Sequence, residues 1–129
     1  MVTKIETTLA PAALGPYSQA ILSGNLLFIS GQIGINPVSG ELPESFEDQA
    51  KNVMNNIKAI LEKAGSGFNQ VIKATIFLTD LANFAKINEI YGGYFPNHKP
   101  ARSCVEVSAL PKGGKIEIEL IAAIKPGSD

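Results

Sequence analysis

With 129 residues the chain has the usual length of one domain, spanning 1–129, and should bury roughly two thirds of the surface it exposes when unfolded. Eleven basic residues against twelve acidic ones leave a formal charge of −1 with no run of Lys or Arg, so nucleic acid and anionic lipid are poor partners for it. The single cysteine cannot form an internal disulfide, the stretch Met1-Val2-Thr3-Lys4-Ile5-Glu6 has no apolar core of signal-peptide type, and no apolar run approaches the ~20 residues of a bilayer span. A cytoplasmic protein with no membrane segment is expected.

Ile5, Thr7 and Leu9 alternate as a short edge strand that Pro11 ends, and Gly15-Pro16 resets the direction of the chain. Tyr17 to Leu22 and Leu26 to Ile33 read as two strands of a hairpin around Ser23-Gly24-Asn25. Asn36-Pro37-Val38-Ser39-Gly40 is a turn, and the stretch to Pro43 has neither helical nor strand period, which makes it a loop and a candidate for the rim of a site. Ser45 is positioned as the N-cap of a first helix, with Asp48 in the capping-box position and Gly65 at the end. Between them Phe46, Ala50, Val53, Met54, Ile57, Leu61 and Ala64 form one apolar stripe, which is core.

Val71 to Thr79 is β-branched and aromatic and predicts a strand, delivered to a second helix capped by Asp80 and lined by Leu81, Phe84, Ile87, Tyr91, Tyr94 and Phe95. Gly92-Gly93 weakens its last turn and Pro96 stops it. Strands then follow at Pro100–Glu106 and from Lys115 to Ile121, separated by Leu110-Pro111-Lys112-Gly113-Gly114. The predicted fold is α+β: one mixed sheet of about six strands with two helices packed on one face. The strands carry apolar residues at both parities, Ile116, Ile118, Leu120 and Ile124 on one and Ile121 and Ala123 on the other. The second face therefore needs a partner, which a closed homo-oligomer supplies.

Among residues that carry chemistry, Arg102 stands first, because a guanidinium offers a planar fork of donors that matches a carboxylate at two points. On residue type alone it is more often a solvated surface arginine. Alternation puts Arg102, Cys104 and Glu106 on one side of their strand and Glu117, Glu119 and Ile121 on one side of the last. Whether the two sets meet within a chain or across a subunit boundary is left open by the sequence, as is the net shift of Glu117, which burial would raise and Arg102 would lower. Cys104 has no histidine near it in sequence and reads as an inert wall. His98, the one histidine, sits in a turn without further ligands at metal spacing, so no metal is predicted. Gly65-Ser66-Gly67 follows a helix rather than opening one, so no nucleotide cofactor is predicted either.

The run Pro100-Ala101-Arg102-Ser103-Cys104-Val105, with Ser108, Leu110 and Ile116-Glu117-Ile118 after it, resembles the signature of the RidA/YjgF family, the reactive intermediate deaminases. The resemblance extends to Gly15-Pro16-Tyr17-Ser18-Gln19-Ala20 and Phe28-Ile29-Ser30-Gly31-Gln32. It implies a chorismate-mutase-like fold and a homotrimer with three intersubunit sites. It further implies that Arg102 holds a substrate carboxylate, that Glu117 positions the attacking water, and that Tyr17, Ser30, Gly31, Asn88 and Cys104 line the pocket. The activity implied is hydrolysis of 2-imino acids and enamines such as 2-aminoacrylate or 2-iminobutyrate to 2-keto acids and ammonia, linking the protein to pyridoxal-dependent dehydratases. Two rivals stand beside it: a protein that binds a small carboxylic acid or shields unfolded clients without turnover, and an endoribonuclease or translation inhibitor, which the lack of a basic stripe disfavours.

Overall fold

In a computed structural model of the chain, the apolar stripe of the first helix winds onto one side of α1 (Phe46–Lys63), and Phe46, Ala50, Val53, Met54, Ile57 and Leu61 are all buried. The structure describes residues 2–124; Met1 and residues 125–129 of the expected domain lie outside the described residues. Ser45 caps α1 as expected, its Oγ accepting from the Asp48 N–H at 3.1 Å. Past the other end, Gly65 N donates to Glu62 O and Ser66 N to Leu61 O, the paired bonds of a Schellman stop.

Six strands form one mixed sheet: β1 (Val2–Ile5), β2 (Ala20–Ser23), β3 (Leu26–Ile33), β4 (Val71–Leu78), β5 (Ala101–Glu106) and β6 (Ile116–Ala123). Their spatial order is β1-β2-β3-β6-β4-β5, with β4 and β5 parallel and every other pair antiparallel. The parallel pair is joined through α2 (Phe84–Gly92), as the crossover rule requires. The β2–β3 turn has only Gly24-Asn25 between paired Ser23 and Leu26, and Gly24 takes φ 62° at the first central position, where a primed turn needs a residue free of Cβ. Both helices cover the face that carries Ile116, Ile118, Leu120 and Ala122 of β6 and Ala74, Ile76 and Leu78 of β4, all buried. The opposite face carries Phe28, Thr75, Glu119 and Ile121, with Phe28 42% exposed.

Several expected boundaries move, the main ones where another group takes over the backbone partners. Thr7 to Leu9 is a turn rather than strand, because the Gln19 side chain takes the backbone groups a strand would have paired: its Oε1 accepts from Thr7 N at 2.7 Å, and its Nε2 donates to Thr7 O and Pro11 O. Tyr17 and Ser18 lie before β2, since Tyr17 N donates to Gly15 O and Ser18 O accepts from the Ser30 hydroxyl. Asp80 caps a short 3₁₀ turn, Leu81–Asn83, through Ala82 N, so α2 starts only at Phe84. That helix ends at Gly92, and Tyr94 and Phe95 pack beyond it as an aromatic cluster with Phe68, with ring centroids 5.3 Å from it in both pairs.

The polar side of α1 also holds the end of β3. Asn56, 1% exposed, donates through Nδ2 to Ile33 O and Ile35 O, and Gln49 donates to Pro43 O while accepting from Lys115 N. Asn56→Ala leaves two partly buried carbonyls without this donor and is expected to cost about 1–3 kcal/mol, read as a lowered urea midpoint.

Candidate active site

Strand register decides which candidate residues share a face. Arg102 pairs with Ala74 and Cys104 with Ile76, so both point to the helix-covered side of β5, an edge strand. Glu117 pairs with Phe77 of β4 and Ile33 of β3, on the open side. One strand, β4, separates β6 from β5, which puts the two residues about 10 Å apart across the sheet as well as on opposite faces. Arg102 and Glu117 therefore do not meet within one chain.

Arg102 lies over two aromatic rings of α2, with its Cζ 5.6 Å from the Phe84 centroid and 5.2 Å from that of Tyr91. Asn88 follows Phe84 by four residues and precedes Tyr91 by three, so it shares their helix face. Its Oδ1 and the Tyr91 hydroxyl are buried without a hydrogen-bond partner among the described residues. Burial pushes the Tyr91 phenol up, against a smaller lowering by Arg102. Glu106, third in the same alternation, is used structurally: its Oε1 accepts from Leu81 N at 2.9 Å and fastens β5 to the turn that leads into α2. Cys104 is half-buried against the core, and burial raises its thiol pKa more than Arg102 lowers it, which disfavours the thiolate.

On the other side, β3 carries a bulge: Ile29 pairs with Leu120 and Gln32 with Ile118, so Ser30 and Gly31 together oppose Glu119. The bulge brings the Gly31 backbone against Glu117, whose carboxyl occupies the space a Cβ at position 31 would need. Glu117 is half-buried, and its pKa is raised above 4.5, first by desolvation and then by the charge of Glu119. Ser30 is anchored on both sides, its N–H donating to Gln19 O at 2.9 Å and its hydroxyl to Ser18 O at 2.6 Å. These bonds, with the Gln19 clasp, hold the loop that presents Tyr17. Tyr17 and Gly31 line one cleft of about 420 Å³, with Pro37 and Gly40 of the expected rim loop and Lys112 on its edge.

The predicted residues thus form two clusters. Tyr17, Ser30, Gly31 and Glu117 gather at the β3 bulge; Arg102, Cys104 and Asn88 gather under α2. Sequence reasoning assigned Phe84 and Tyr91 to the core stripe of the second helix and missed their place beneath Arg102. Their spacing with Asn88, at i, i+4 and i+7, is the signal that reveals it. Among the described residues no group of three or more His, Cys, Asp or Glu is arranged to hold a metal, and no helix is long and apolar enough to cross a membrane. Gly31→Ala is expected to leave the fold standing while displacing the Glu117 carboxyl, with activity falling more than thermal stability; equal activity would mean that the Gly31–Glu117 approach is incidental.

Comparison with known proteins places the chain in a family. The family model described as Endoribonuclease L-PSP matches residues 7–124. A RutC family protein of Pyrococcus horikoshii is 56% identical over 119 residues, 92% of this chain and 94% of the relative. The 2-iminobutanoate/2-iminopropanoate deaminase of Bos taurus is 48% identical over 123 residues, 95% of this chain and 90% of the relative. The crystal structure of Escherichia coli TdcF with bound serine superposes with a TM-score of 0.91 at 47% identity, covering 95% of this chain and 99% of that one. With signature, sheet order and relatives in agreement over nearly the whole length, the chain belongs to the RidA/YjgF family, whose model bears the description Endoribonuclease L-PSP.

Proposed function

We propose that this chain is a 2-iminobutanoate/2-iminopropanoate deaminase, hydrolysing 2-imino acids and their enamine tautomers to 2-keto acids and ammonia. The observation that carries the reading is the complementarity of the two clusters: a guanidinium that no ion pair among the described residues engages on one, and a shielded carboxyl of raised pKa on the other. The name of the Bos taurus relative supports the same reaction. Because Arg102 and Glu117 lie on opposite faces of their own sheet, the reading requires that a neighbouring copy bring its Glu117 to this chain's Arg102. A homotrimer with a cleft at each boundary meets that requirement, and the open sheet face with Phe28 and Ile121 supplies apolar surface for it.

In such a cleft Arg102 holds the substrate carboxylate bidentately and fixes the imine carbon. Glu117 takes a proton from water as the water oxygen bonds to that carbon, while the C=N π electrons pass to nitrogen, which then takes that proton from Glu117 to give the neutral carbinolamine. Glu117 next takes the hydroxyl proton of the carbinolamine as C=O forms and the C–N bond breaks with its electron pair leaving on nitrogen, and it passes that proton to the departing nitrogen, so that ammonia and the keto acid result and the carboxylate is regenerated. An enamine first gains a proton at its terminal carbon to become the imine. The imine carbon is already electrophilic, so this route asks for neither an electron sink nor a Lewis acid.

The test couples the protein to a pyridoxal-dependent threonine dehydratase, which belongs to the enzyme class that would supply the substrate in a cytoplasmic setting. With dehydratase in excess, imine decay should accelerate with added protein, and light scattering should give about three times the 13.7 kDa chain mass. Unchanged decay would overturn the deaminase reading, and a monomer would overturn the shared cleft. A carboxylic-acid binder without turnover is the second reading, favoured by the serine seen in the TdcF structure.

A further inference from the structure

We propose that Phe84 and Tyr91 are positioning residues for Arg102, a pair of ring faces that aims the guanidinium while leaving all of its N–H donors free for a ligand carboxylate. An arginine on an edge strand has many rotamers, and it is usually fixed by an ion pair or by hydrogen bonds to carbonyls. Among the described residues Arg102 has neither: the two exposed ion pairs are Lys4–Glu6 and Lys86–Glu47, and no hydrogen bond involves its side chain. What it has is two ring centroids within 5.6 Å, one from each end of the same helix face. Cation–π attraction orients the group without consuming a donor, which is what a bidentate anchor needs before its ligand arrives. Glu106, bonded to Leu81 N just ahead of Phe84, keeps α2 and β5 in the alignment that sets the shelf beneath the cation. The Tyr91 hydroxyl is buried and has no hydrogen-bond partner among the described residues, and it is the ring that lies against the guanidinium.

This inference rests on the reading of Arg102 as the carboxylate anchor, and its test separates the two. Phe84 is 42% exposed, so Phe84→Leu removes the π face without emptying the core. The measurements are the Arg102 Nε–Hε resonance of the ligand-free protein, the Kd for 2-oxobutanoate, and KM and kcat for 2-iminobutanoate. In the wild type the Arg102 resonance should carry an upfield ring-current shift. Phe84→Leu should lose much of that shift and raise Kd and KM by about 3- to 30-fold with kcat within about twofold, the range expected for one cation–π contact. Phe84→Tyr should restore both. Tyr91→Phe, which keeps the ring, should lose less of the Arg102 shift and raise Kd less than Phe84→Leu does, and it should unfold at an equal or higher temperature, since it deletes a buried hydroxyl without a partner among the described residues.

An Arg102 resonance unchanged in Phe84→Leu would overturn the shelf whatever the activity, as would a Tyr91→Phe loss equal to that of Phe84→Leu. A wild type without turnover whose Arg102 shift still depends on Phe84 would sink the deaminase reading and leave the shelf standing.

Discussion

Glu117→Gln is expected to lower turnover of 2-iminobutanoate by about 10²- to 10⁴-fold, the usual worth of a positioned proton acceptor, while 2-oxobutanoate still binds. Glutamine keeps the shape beside Gly31 but cannot take a proton from water. The raised pKa of Glu117 adds two checks. First, the acid limb of the kcat/KM profile should be centred above 4.5, because the carboxyl must lose its proton to act as base, and desolvation and Glu119 both oppose that loss. Second, the sign for stability follows from linkage: the folded state holds this proton more tightly than the unfolded chain, so ionised Glu117 subtracts from stability. That penalty is absent below the ordinary value of 4.5 and is fully present once pH has risen through the raised pKa. Glu117→Gln should therefore unfold at a higher temperature than the wild type at neutral pH, with the difference shrinking as pH falls toward 4.5. A variant that keeps near-full turnover would remove Glu117 as the base.

Arg102→Lys should behave more like Arg102→Ala than like the wild type. Lysine keeps the charge but offers a point donor in place of the planar fork, and an ammonium is more strongly hydrated than a guanidinium above two rings. Loss of a charge-assisted bidentate contact should cost about 2–4 kcal/mol in transition-state binding, or about 30- to 1000-fold in kcat/KM. Cys104→Ala is the control on the same strand: its thiol is disfavoured from ionising and serves as wall, so most activity should remain. Near-wild-type kcat/KM in Arg102→Lys would mean that charge, not bidentate geometry, is what the site uses.

The sequence by itself determined the elements whose cause is local. A seven-residue apolar stripe bounded by Ser45 and Gly65 buries itself as a helix, and Ser23-Gly24-Asn25 between two strand-like apolar runs closes a hairpin, so both were legible. The signature around Arg102 and Glu117 likewise identified the family and the candidate chemistry. Boundaries were lost where a side chain from far along the chain took over backbone partners, as Gln19 does for Thr7 to Pro11, because period and propensity carry no record of a bond across twelve residues. Tertiary structure alone decided how the site residues group. Alternation fixes faces within a strand, but only the placement of β6 between β3 and β4, and the parallel register of β4 with β5, put Arg102 and Glu117 on opposite sides of the sheet. The same docking turned Phe84 and Tyr91 from an ordinary apolar stripe into the support of a cation, since a helix face acquires its role from the strand it is packed upon.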